Sequence, residues 1–383
     1  MTSVLKPTTE EELADIVASA SDPFEIIGSG SKRGLGRPVQ AAQTLGLSGF
    51  NRIHAYEPEE LSLEAGAGAL LAEIEKLIGG RGQQLAFEAP DFSKLLGTGH
   101  SGTLGGLLAC NLSGPRRIKA GAARDHVLGI RGVSGRGEIF KAGARVVKNV
   151  TGYDLPKLMA NSHGTLAAFT SIILKVLPKP ETEETIVLEG LDDAGAVAAM
   201  SLAMQSPCEV SGAAHVPGEG TYLRLEGIAP SVAYRRDALA RKLGRPVQVL
   251  AATNSRAKWV AIRDVTRLAD TMDRMVWRLS VTPSEAPGIM ARLREKIDAR
   301  YYFDWAGGLI WLDVPPTDDA SAVFVRGAMT SGHAMLIRAP EAVRAHVEVF
   351  HPQAPALAAL AARVKASFDP QHLFNPGRMY RGV

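Results

Sequence analysis

Two glycine-rich segments carry residue types that bind phosphate groups. The first reads Gly28-Ser-Gly-Ser-Lys-Arg and follows the apolar run at residues 24–27. Two glycines let consecutive N–H groups turn toward an anion, while the serines, Lys32 and Arg33 would add hydroxyl donors and positive charge. The spacing resembles the G-x-G-x-x-G dinucleotide fingerprint, but Arg33 stands at the third glycine and no βαβ unit follows, which excludes a Rossmann domain. A tight turn without a ligand is the alternative interpretation.

The second segment covers residues 97–117 and favours a ligand over a simple turn. Twelve of the 39 glycines in the chain lie between Gly97 and Gly143. A helix starting near residue 105 would direct its positive N-terminal end toward an anion. Four small residues would let a flat ligand or a pyrophosphate approach the backbone closely: Gly102, Thr103, Gly105 and Gly106.

Positive charge coincides with this second segment. Residues 97–157 contain only three acids, Asp125, Glu138 and Asp154. They contain ten basic residues: Arg116, Arg117, Lys119, Arg124, Arg131, Arg136, Lys141, Arg145, Lys148 and Lys157. The excess of seven positive charges, together with the glycines, predicts a large phosphate-containing cofactor. A solvated basic face is the alternative.

Composition and absent motifs exclude several classes of protein. The chain has 383 residues, 46% hydrophobic and 22% charged, which is enough for two or three domains. A net charge of +3 gives no global attraction for nucleic acid, and no apolar run approaches the roughly 20 residues of a membrane span. The acidic start is unlike a signal peptide, and two cysteines cannot form a disulfide framework. We therefore expect a cytoplasmic protein with no nucleic-acid partner and no membrane span.

The predicted elements divide the chain into three parts and an α+β fold. Short strands and helices fill residues 1–180, up to the pair Pro178 and Pro180. Residues 181–353 show the order β-α-β-β-α-β twice, which predicts two split-βαβ units that form an antiparallel sheet with helices on one face. The pattern of residues 354–383 predicts a final helix followed by a tail.

Four motifs resemble the vanillyl-alcohol-oxidase/PCMH family of flavoproteins. They are Gly102-Thr-Leu-Gly-Gly, Ser113-Gly-Pro-Arg-Arg, Lys148-Asn-Val-Thr-Gly-Tyr-Asp-Leu and the ending Phe374-Asn-Pro-Gly-Arg. Within that family the chain looks most like the FAD-binding E subunits of bacterial glycolate oxidase. The resemblance implies a PCMH-type two-subdomain FAD-binding domain at residues 1–180, a cap domain at 181–353, and a C-terminal tail that returns to the FAD domain.

The resemblance also implies a set of FAD-binding residues. Covalently flavinylated members carry a histidine in the first loop; that loop here has neither histidine nor cysteine, and the position of His100 does not favour a bond, so the FAD is expected to be non-covalent. His163 stands where an acidic residue is common. The implied cofactor contacts are Gly28, Ser29, Gly30, Ser31, Lys32, Arg33, Gly102, Thr103, Gly105, Gly106, Asn111, Ser113, Gly114, Thr170 and Asn375.

The function implied is that of an FAD-binding subunit of a glycolate oxidase complex, which oxidises glycolate to glyoxylate. Its implied partners are a sister flavin subunit and an iron–sulfur subunit, with membrane association made through them. Cys110 and Cys208 cannot supply four thiolates, so this chain holds no cluster of its own. Two alternatives remain open: a self-sufficient FAD-dependent oxidoreductase of 2-hydroxy acids or alcohols, and an assembly subunit whose flavin is not catalytic.

Candidate groups for a 2-hydroxy-acid substrate lie in the second half of the chain. Arg278 and Arg338, expected on strands at matching places of the two repeats, could each clamp a carboxylate. His333 and His372 could accept a proton near neutral pH. Structural roles are the alternative for all four, and the four tryptophans are expected in the core of the cap. No metal site is expected, because no two histidines lie two to four residues apart.

Overall fold

The computed structural model describes residues 4–145 and 153–382 of the chain. Residues 148–152 of the Lys148-Asn-Val-Thr-Gly-Tyr-Asp-Leu motif therefore lie outside the described residues. Within the described ranges the chain forms one three-stranded parallel sheet and two larger antiparallel sheets. Two short strands, Gln83–Gln84 and Leu177–Pro178, form a further antiparallel pair.

The chain begins with a small parallel sheet covered by one helix. Thr9 caps that helix, Glu10–Ala18, by accepting a hydrogen bond from the Glu12 N–H (3.1 Å), and three glutamates in the first turn complement the helix dipole. Leu13 and Val17 form its buried face. The sheet has the strand order Val4–Leu5, Gln43–Gly46, Phe24–Ile27.

A five-stranded antiparallel sheet forms the second part of the N-terminal region. Its middle strand, Ala167–Lys175, is buried along eight of its nine residues, as expected for a strand covered on both faces. The strand order is Ile53–Glu57, Ser62–Gly66, Ala167–Lys175, Val127–Ser134, Ile139–Gly143. The helices of this part are Leu71–Gly79, Leu104–Cys110, Arg117–Ala120 and Leu155–Met159, with a 3-10 turn at Ala123–His126.

Two split-βαβ units build the third part, as predicted. When the four strands of each unit are numbered along the chain, their order across the sheet is 4-1-3-2. The second strands of the two units are neighbours at the centre of the sheet, where His215 pairs with Phe303. The eight strands run in the order Gln248–Leu250, Thr182–Leu188, Gly220–Gly227, Gly212–Val216, Arg300–Asp304, Leu309–Val314, Met275–Ser280, His333–Arg338. The helices are Asp193–Met204, Ala229–Leu243, Ala252–Arg263, Ala286–Arg294 and Ala322–Gly327, with 3-10 turns at Thr266–Leu268, Pro283–Glu285 and Trp305–Gly307.

The large sheet buries both faces, and alternate residues of one strand show how. Ile186 and Leu188 pack into the core beneath the helices of the cap, whereas Val187 packs into the core shared with the N-terminal region. This alternation agrees with an α+β fold in which four cap helices cover one face of the sheet. The fifth, Ala252–Arg263, differs from the prediction of helices on one face, because its Trp259 and Ile262 pack into the core shared with the N-terminal region.

Buried ion pairs join the cap sheet to the N-terminal region. The Arg224 guanidinium, 1% exposed, donates two hydrogen bonds to the Glu88 carboxylate (2.8 and 2.9 Å). Arg116 pairs in the same way with Glu226 (2.6 and 3.0 Å). We call these four residues the inter-domain ion cluster. Because both arginines bridge bidentately between the two regions, the cluster fixes their relative orientation.

The C-terminal segment returns to the N-terminal sheet after two helices, Glu341–His346 and Pro355–Phe368. The Phe24 N–H donates to the Leu373 carbonyl (2.7 Å), and Phe374 forms a parallel bridge with Phe24. The tail thereby lies beside the strand that leads into the first glycine-rich loop. The division of the chain at residues 180 and 353 stays a prediction.

Candidate cofactor and substrate site

The two glycine-rich segments and the C-terminal tail surround one open cleft of about 690 Å³, which we call the loop cleft. It lies between the loop after strand Phe24–Ile27 and helix Leu104–Cys110. Of the fifteen predicted cofactor contacts, ten line it: Gly28, Ser29, Gly30, Ser31, Lys32, Arg33, Thr103, Gly105, Gly106 and Asn375. The remaining lining residues are mainly apolar: Ile26, Ile27, Leu47, Ala67, Ala109, Cys110, His163, Gly164, Ala167, Phe169 and Arg378.

The first loop needs its glycines for two different reasons. Gly30 has φ of +82°, in the left-handed region that favours glycine. A Cβ at Gly28 would lie 2.3 Å from the Thr103 hydroxyl oxygen, so this glycine lets the two segments touch. The Ser29 hydroxyl holds the same contact by donating to the Ser101 carbonyl (2.6 Å).

Helix Leu104–Cys110 begins against the cleft. The Thr103 hydroxyl caps it by accepting from the Gly106 N–H (3.3 Å). A Cβ at Gly105 would lie 2.9 Å from the Ala67 carbonyl oxygen, which means that this glycine serves the packing of the helix against the chain after strand Ser62–Gly66. At Gly28 and Gly105, therefore, protein atoms already occupy the space that a side chain would need, and the close approach of a ligand at Gly105 stays a prediction.

The two basic residues of the loop have different surroundings. The guanidinium of Arg33 forms a bidentate ion pair with Glu25. The ammonium group of Lys32 donates only to the Ser31 hydroxyl (3.3 Å) within the described part of the chain, and burial lowers its pKa. Arg378, from the tail, adds a second guanidinium to the cleft and donates to the Lys32 carbonyl (3.2 Å). An anionic ligand would relieve the uncompensated charge of Lys32.

Asn375 holds two walls of the cleft together. Its side chain accepts from the Ile26 N–H and donates to the His163 carbonyl, both at 2.9 Å. The imidazole of His163 lies beside the Cys110 sulfur (3.7 Å), and its Nε2 has no partner in the described ranges although it is buried. Burial lowers the pKa of His163 to about 3, so the ring is neutral at physiological pH.

The other five predicted contacts do not line the loop cleft. Gly102 lies next to the Lys32 side chain; Thr170 donates to the Glu10 carboxylate (2.5 Å). The others follow helix Leu104–Cys110, where Asn111 and Ser113 accept from backbone N–H groups and the Gly114 carbonyl accepts from Trp305. Direct contact with FAD remains a prediction for all fifteen residues.

The basic excess of residues 97–157 is not a free basic face. Within the described ranges, carboxylates from distant parts of the chain pair with four of these cations: Arg116, Lys119, Arg131 and Arg145. Counting charges in a sequence window cannot detect such long-range partners. Among the described residues, Arg117 is an exception, because its guanidinium makes neither a hydrogen bond nor an ion pair and instead lies over the Trp305 ring.

The four candidate substrate residues have different surroundings in the structure and do not form one site. The placement of Arg278 and Arg338 in different repeats is wrong, because both lie in the second unit on paired strands. Arg338 is structural: it donates to the Arg274 and Leu95 carbonyls (both 3.0 Å). His333 and His372 are exposed and line neither the loop cleft nor the cleft beside Trp305. Arg278 does not line the second cleft either, but its guanidinium lies 5.1 Å from the ring centre of Trp305, which does line it.

The loop cleft fits FAD on its own features. It combines a glycine turn, a cation without a carboxylate partner, a buried unpartnered imidazole nitrogen and apolar walls, as a ligand with a pyrophosphate and flat rings requires. In the two described ranges, no group of three or more His, Cys, Asp and Glu side chains could hold a metal ion. No helix there is long and apolar enough to cross a membrane.

Comparisons with known proteins agree with these features. A family model described as FAD binding domain matches residues 1–143. The glycolate oxidase subunit GlcE of Escherichia coli (strain K12) is 33% identical over 362 residues, which cover 94% of each chain. The glycolate oxidase subunit GlcD of Bacillus subtilis (strain 168) is 31% identical over 189 residues, 48% of this chain and 39% of that protein. A D-lactate dehydrogenase of Anaerostipes hadrus is 31% identical over 50% of this chain and 40% of its own length.

Solved structures share the fold. The structure of p-cresol methylhydroxylase with substrate bound superposes with a TM-score of 0.72 at 14% identity, covering 98% of this chain and 88% of that one. Alkyldihydroxyacetonephosphate synthase gives a TM-score of 0.69 at 16% identity, covering 97% and 76%. Fold and sequence together define an FAD-dependent oxidoreductase with a PCMH-type FAD-binding domain. More narrowly, the chain belongs to the family of the glycolate oxidase subunit GlcE.

Proposed function

We propose that this chain is the FAD-binding subunit of a glycolate oxidase or dehydrogenase complex, in which glycolate becomes glyoxylate. The observation that carries the proposal is the similarity to GlcE along 94% of both chains, cap included. Glycolate loses two electrons and two protons in this reaction, and bound FAD supplies the acceptor for the electrons. We further propose that a sister flavin subunit and an iron–sulfur subunit are the partners that receive them.

The residues of the loop cleft would bind the cofactor without a covalent bond. We assign the pyrophosphate to the first loop, where the Lys32 ammonium compensates its charge and the serine hydroxyls donate hydrogen bonds. Asn375 would act by holding the walls of the cleft at a fixed distance. Flavin released into the supernatant after acid precipitation supports non-covalent binding, whereas flavin that stays with the precipitated protein contradicts it.

Electrons must leave this chain through another protein if it works in a complex. Cys110 is partly buried beside His163, and Cys208 is buried in the cap. An iron–sulfur cluster requires about four ligands, usually thiolates, which two separate cysteines cannot supply. We place the complex in the cytoplasm, with any attachment to a membrane made by its partners.

A second candidate function is that of an assembly subunit whose flavin does not react with the substrate. The observation that favours it concerns His163, the histidine that lines the loop cleft: its imidazole is a weak base, because burial lowers its pKa to about 3. A group that weakly basic is a poor proton acceptor at neutral pH.

Single-chain kinetics separate the candidates. The purified FAD-loaded chain is assayed with an artificial electron acceptor and with glycolate or D-lactate as the substrate. Turnover of glycolate in preference to D-lactate supports the proposed function, and efficient turnover of D-lactate indicates a self-sufficient 2-hydroxy-acid dehydrogenase. The assembly role predicts no turnover alone, together with full activity of a complex in which this chain lacks FAD.

A further inference from the structure

A second open cleft, of about 910 Å³, lies where the cap meets the N-terminal region, and we call it the arginine cleft. Arg117, from the N-terminal region, and Trp305, from the cap, face each other in it. The other lining residues belong to the chain around Arg117 and to three turns of the cap: Ile118, Ser280, Val281, Thr282, Pro283, Gly308, Ser331 and Gly332.

Two guanidinium groups lie against the same tryptophan ring. The Cζ atoms of Arg117 and Arg278 are 4.4 and 5.1 Å from the centre of the Trp305 ring. In the described ranges neither side chain donates a hydrogen bond to the protein or pairs with a carboxylate within 4 Å. Burial, and then the charge of Arg117, lowers the pKa of Arg278 to about 10. The charges of Asp304 and Asp125 act on Arg278 and Arg117 from a greater distance and oppose these effects. Two like charges held together without a carboxylate within 4 Å indicate a site for an anion.

The tryptophan between them is held in a fixed position. Its indole N–H donates to the Gly114 carbonyl (3.1 Å), and its backbone N–H donates to the Asp304 carboxylate (2.7 Å). Trp305 and Ala306 both have positive φ, 52° and 55°, in the left-handed region that is strained for residues with a side chain. The fold therefore maintains a strained turn that presents the ring and Arg117 to the cleft, with Arg278 against the same ring.

Residues that line the two clefts lie close together in the sequence. Helix Leu104–Cys110 lines the loop cleft, and the chain then passes through Gly114 to Arg117. Three hydroxyl-bearing residues also line the arginine cleft: Ser280, Thr282 and Ser331. A ligand here would thus meet guanidinium groups suited to a carboxylate and hydroxyls suited to an alcohol.

We propose that Arg117 and Arg278 bind the carboxylate of a small 2-hydroxy acid in the arginine cleft. The identity of that acid as glycolate rests on the proposed function. The carboxylate neutralises the charge that the two guanidinium groups share, and the Trp305 ring keeps both donors in place.

Calorimetric titration of the FAD-loaded full chain with glycolate tests this site. The variants Arg117→Gln and Arg278→Gln should each weaken binding about tenfold or more, as expected for the loss of a charge-assisted hydrogen bond. Glycolamide, which lacks the charge, should not bind. Arg363→Gln removes a charge from the exposed last helix and should leave the affinity unchanged.

Thermal unfolding distinguishes a binding role from a structural one. Neither arginine has a hydrogen-bonding or carboxylate partner in the described part of the chain, so removing one of two like charges should offset the lost contact with Trp305. Both variants should therefore unfold close to the wild-type temperature without glycolate. Wild-type affinity in both variants, or no glycolate binding by the wild type, overturns the site. If glycolate reduces the flavin but binds both variants with wild-type affinity, the site is refuted and the proposed function stands. If glycolate binding depends on the two arginines but the flavin is never reduced, the site stands and the proposed function is refuted.

Discussion

At the scale of single residues, Lys32 and Arg33 are neighbours with opposite roles. Arg33 is neutralised by Glu25, whereas Lys32 lies in the loop cleft with a hydroxyl as its partner. A positive charge without a carboxylate partner is costly in the free protein and becomes favourable when a phosphate binds. Lys32 is therefore the residue whose charge should matter most for cofactor affinity.

The variant Lys32→Met should weaken FAD binding by about 10- to 100-fold, the effect of removing a hydrogen bond to a charged group. Without FAD the same variant should be at least as stable as the wild type, because a desolvated charge is removed. Fluorescence titration of the apoprotein with FAD measures the first effect and thermal unfolding the second. Arg33→Met is the matched control and should change FAD affinity less than about threefold; equal losses in both variants would contradict the assignment.

Gly28 provides a second prediction at this scale. In Gly28→Ala the new Cβ would lie 2.3 Å from the Thr103 hydroxyl, so the loop and the helix must separate. We expect loss of bound FAD and a destabilisation of about 1–3 kcal/mol, measured by flavin absorbance and urea unfolding. Gly34→Ala is the control, since its Cβ would meet only a Leu96 methyl at 3.8 Å; a Gly28→Ala protein that keeps its FAD refutes this account of the loop.

At the scale of elements, the inter-domain ion cluster links the cap sheet to the N-terminal region. Burial alone would raise the pKa of Glu226, but the charge of Arg224 and the hydrogen bond from Arg116 lower it to about 2. A carboxyl whose pKa is lower in the folded protein stabilises it at neutral pH. That contribution, on the order of 3 kcal/mol, is lost as the pH falls from about 5 toward 2.

Urea unfolding at a series of acidic pH values measures this contribution. The wild type should lose stability steeply below about pH 5, and Glu226→Gln should show a lower stability at neutral pH with a flatter dependence on pH. Glu209→Gln, which removes an exposed partner of Lys119, should follow the wild-type curve. Identical slopes for Glu226→Gln and the wild type would show that the cluster does not carry the effect.

Elements were more predictable from the sequence than the contacts between them. The β-α-β-β-α-β order could be inferred because strands and helices leave local periodicities. The pairing of Arg131 with Glu10, and the approach of Arg117 to Trp305, join residues more than a hundred positions apart and leave no local signal. For the same reason the sequence indicated Arg278 but paired it with Arg338 instead of Arg117.

At the scale of the whole molecule, one buried lysine connects the last helix, the tail and the N-terminal region. The Lys365 ammonium donates to the Asp369 carboxylate (2.6 Å) and to the Thr165 and Phe374 carbonyls (2.7 and 2.9 Å). Through Phe374 it fixes the segment that carries Asn375 into the loop cleft. The tail is therefore part of the cofactor site and not an appendage.

Replacing this lysine should affect both stability and cofactor binding. Lys365→Met leaves the Asp369 carboxylate buried without a cation, which costs about 3–5 kcal/mol in the free energy of unfolding, and it should weaken FAD binding. Lys157→Met, which breaks an exposed pair with Asp154, should cost less than about 1 kcal/mol. Similar small losses in the two variants would show that the tail is not held in this way.

The central claim is that electrons from glycolate reach the flavin held by this chain. Anaerobic titration of the purified FAD-loaded chain with glycolate, followed by the visible absorption band of the flavin, tests it most directly. The account predicts that the band is bleached by glycolate and returns when an electron acceptor is added. A flavin that stays oxidised at saturating glycolate, both in the isolated chain and in a complex where this chain carries the only flavin, would contradict it.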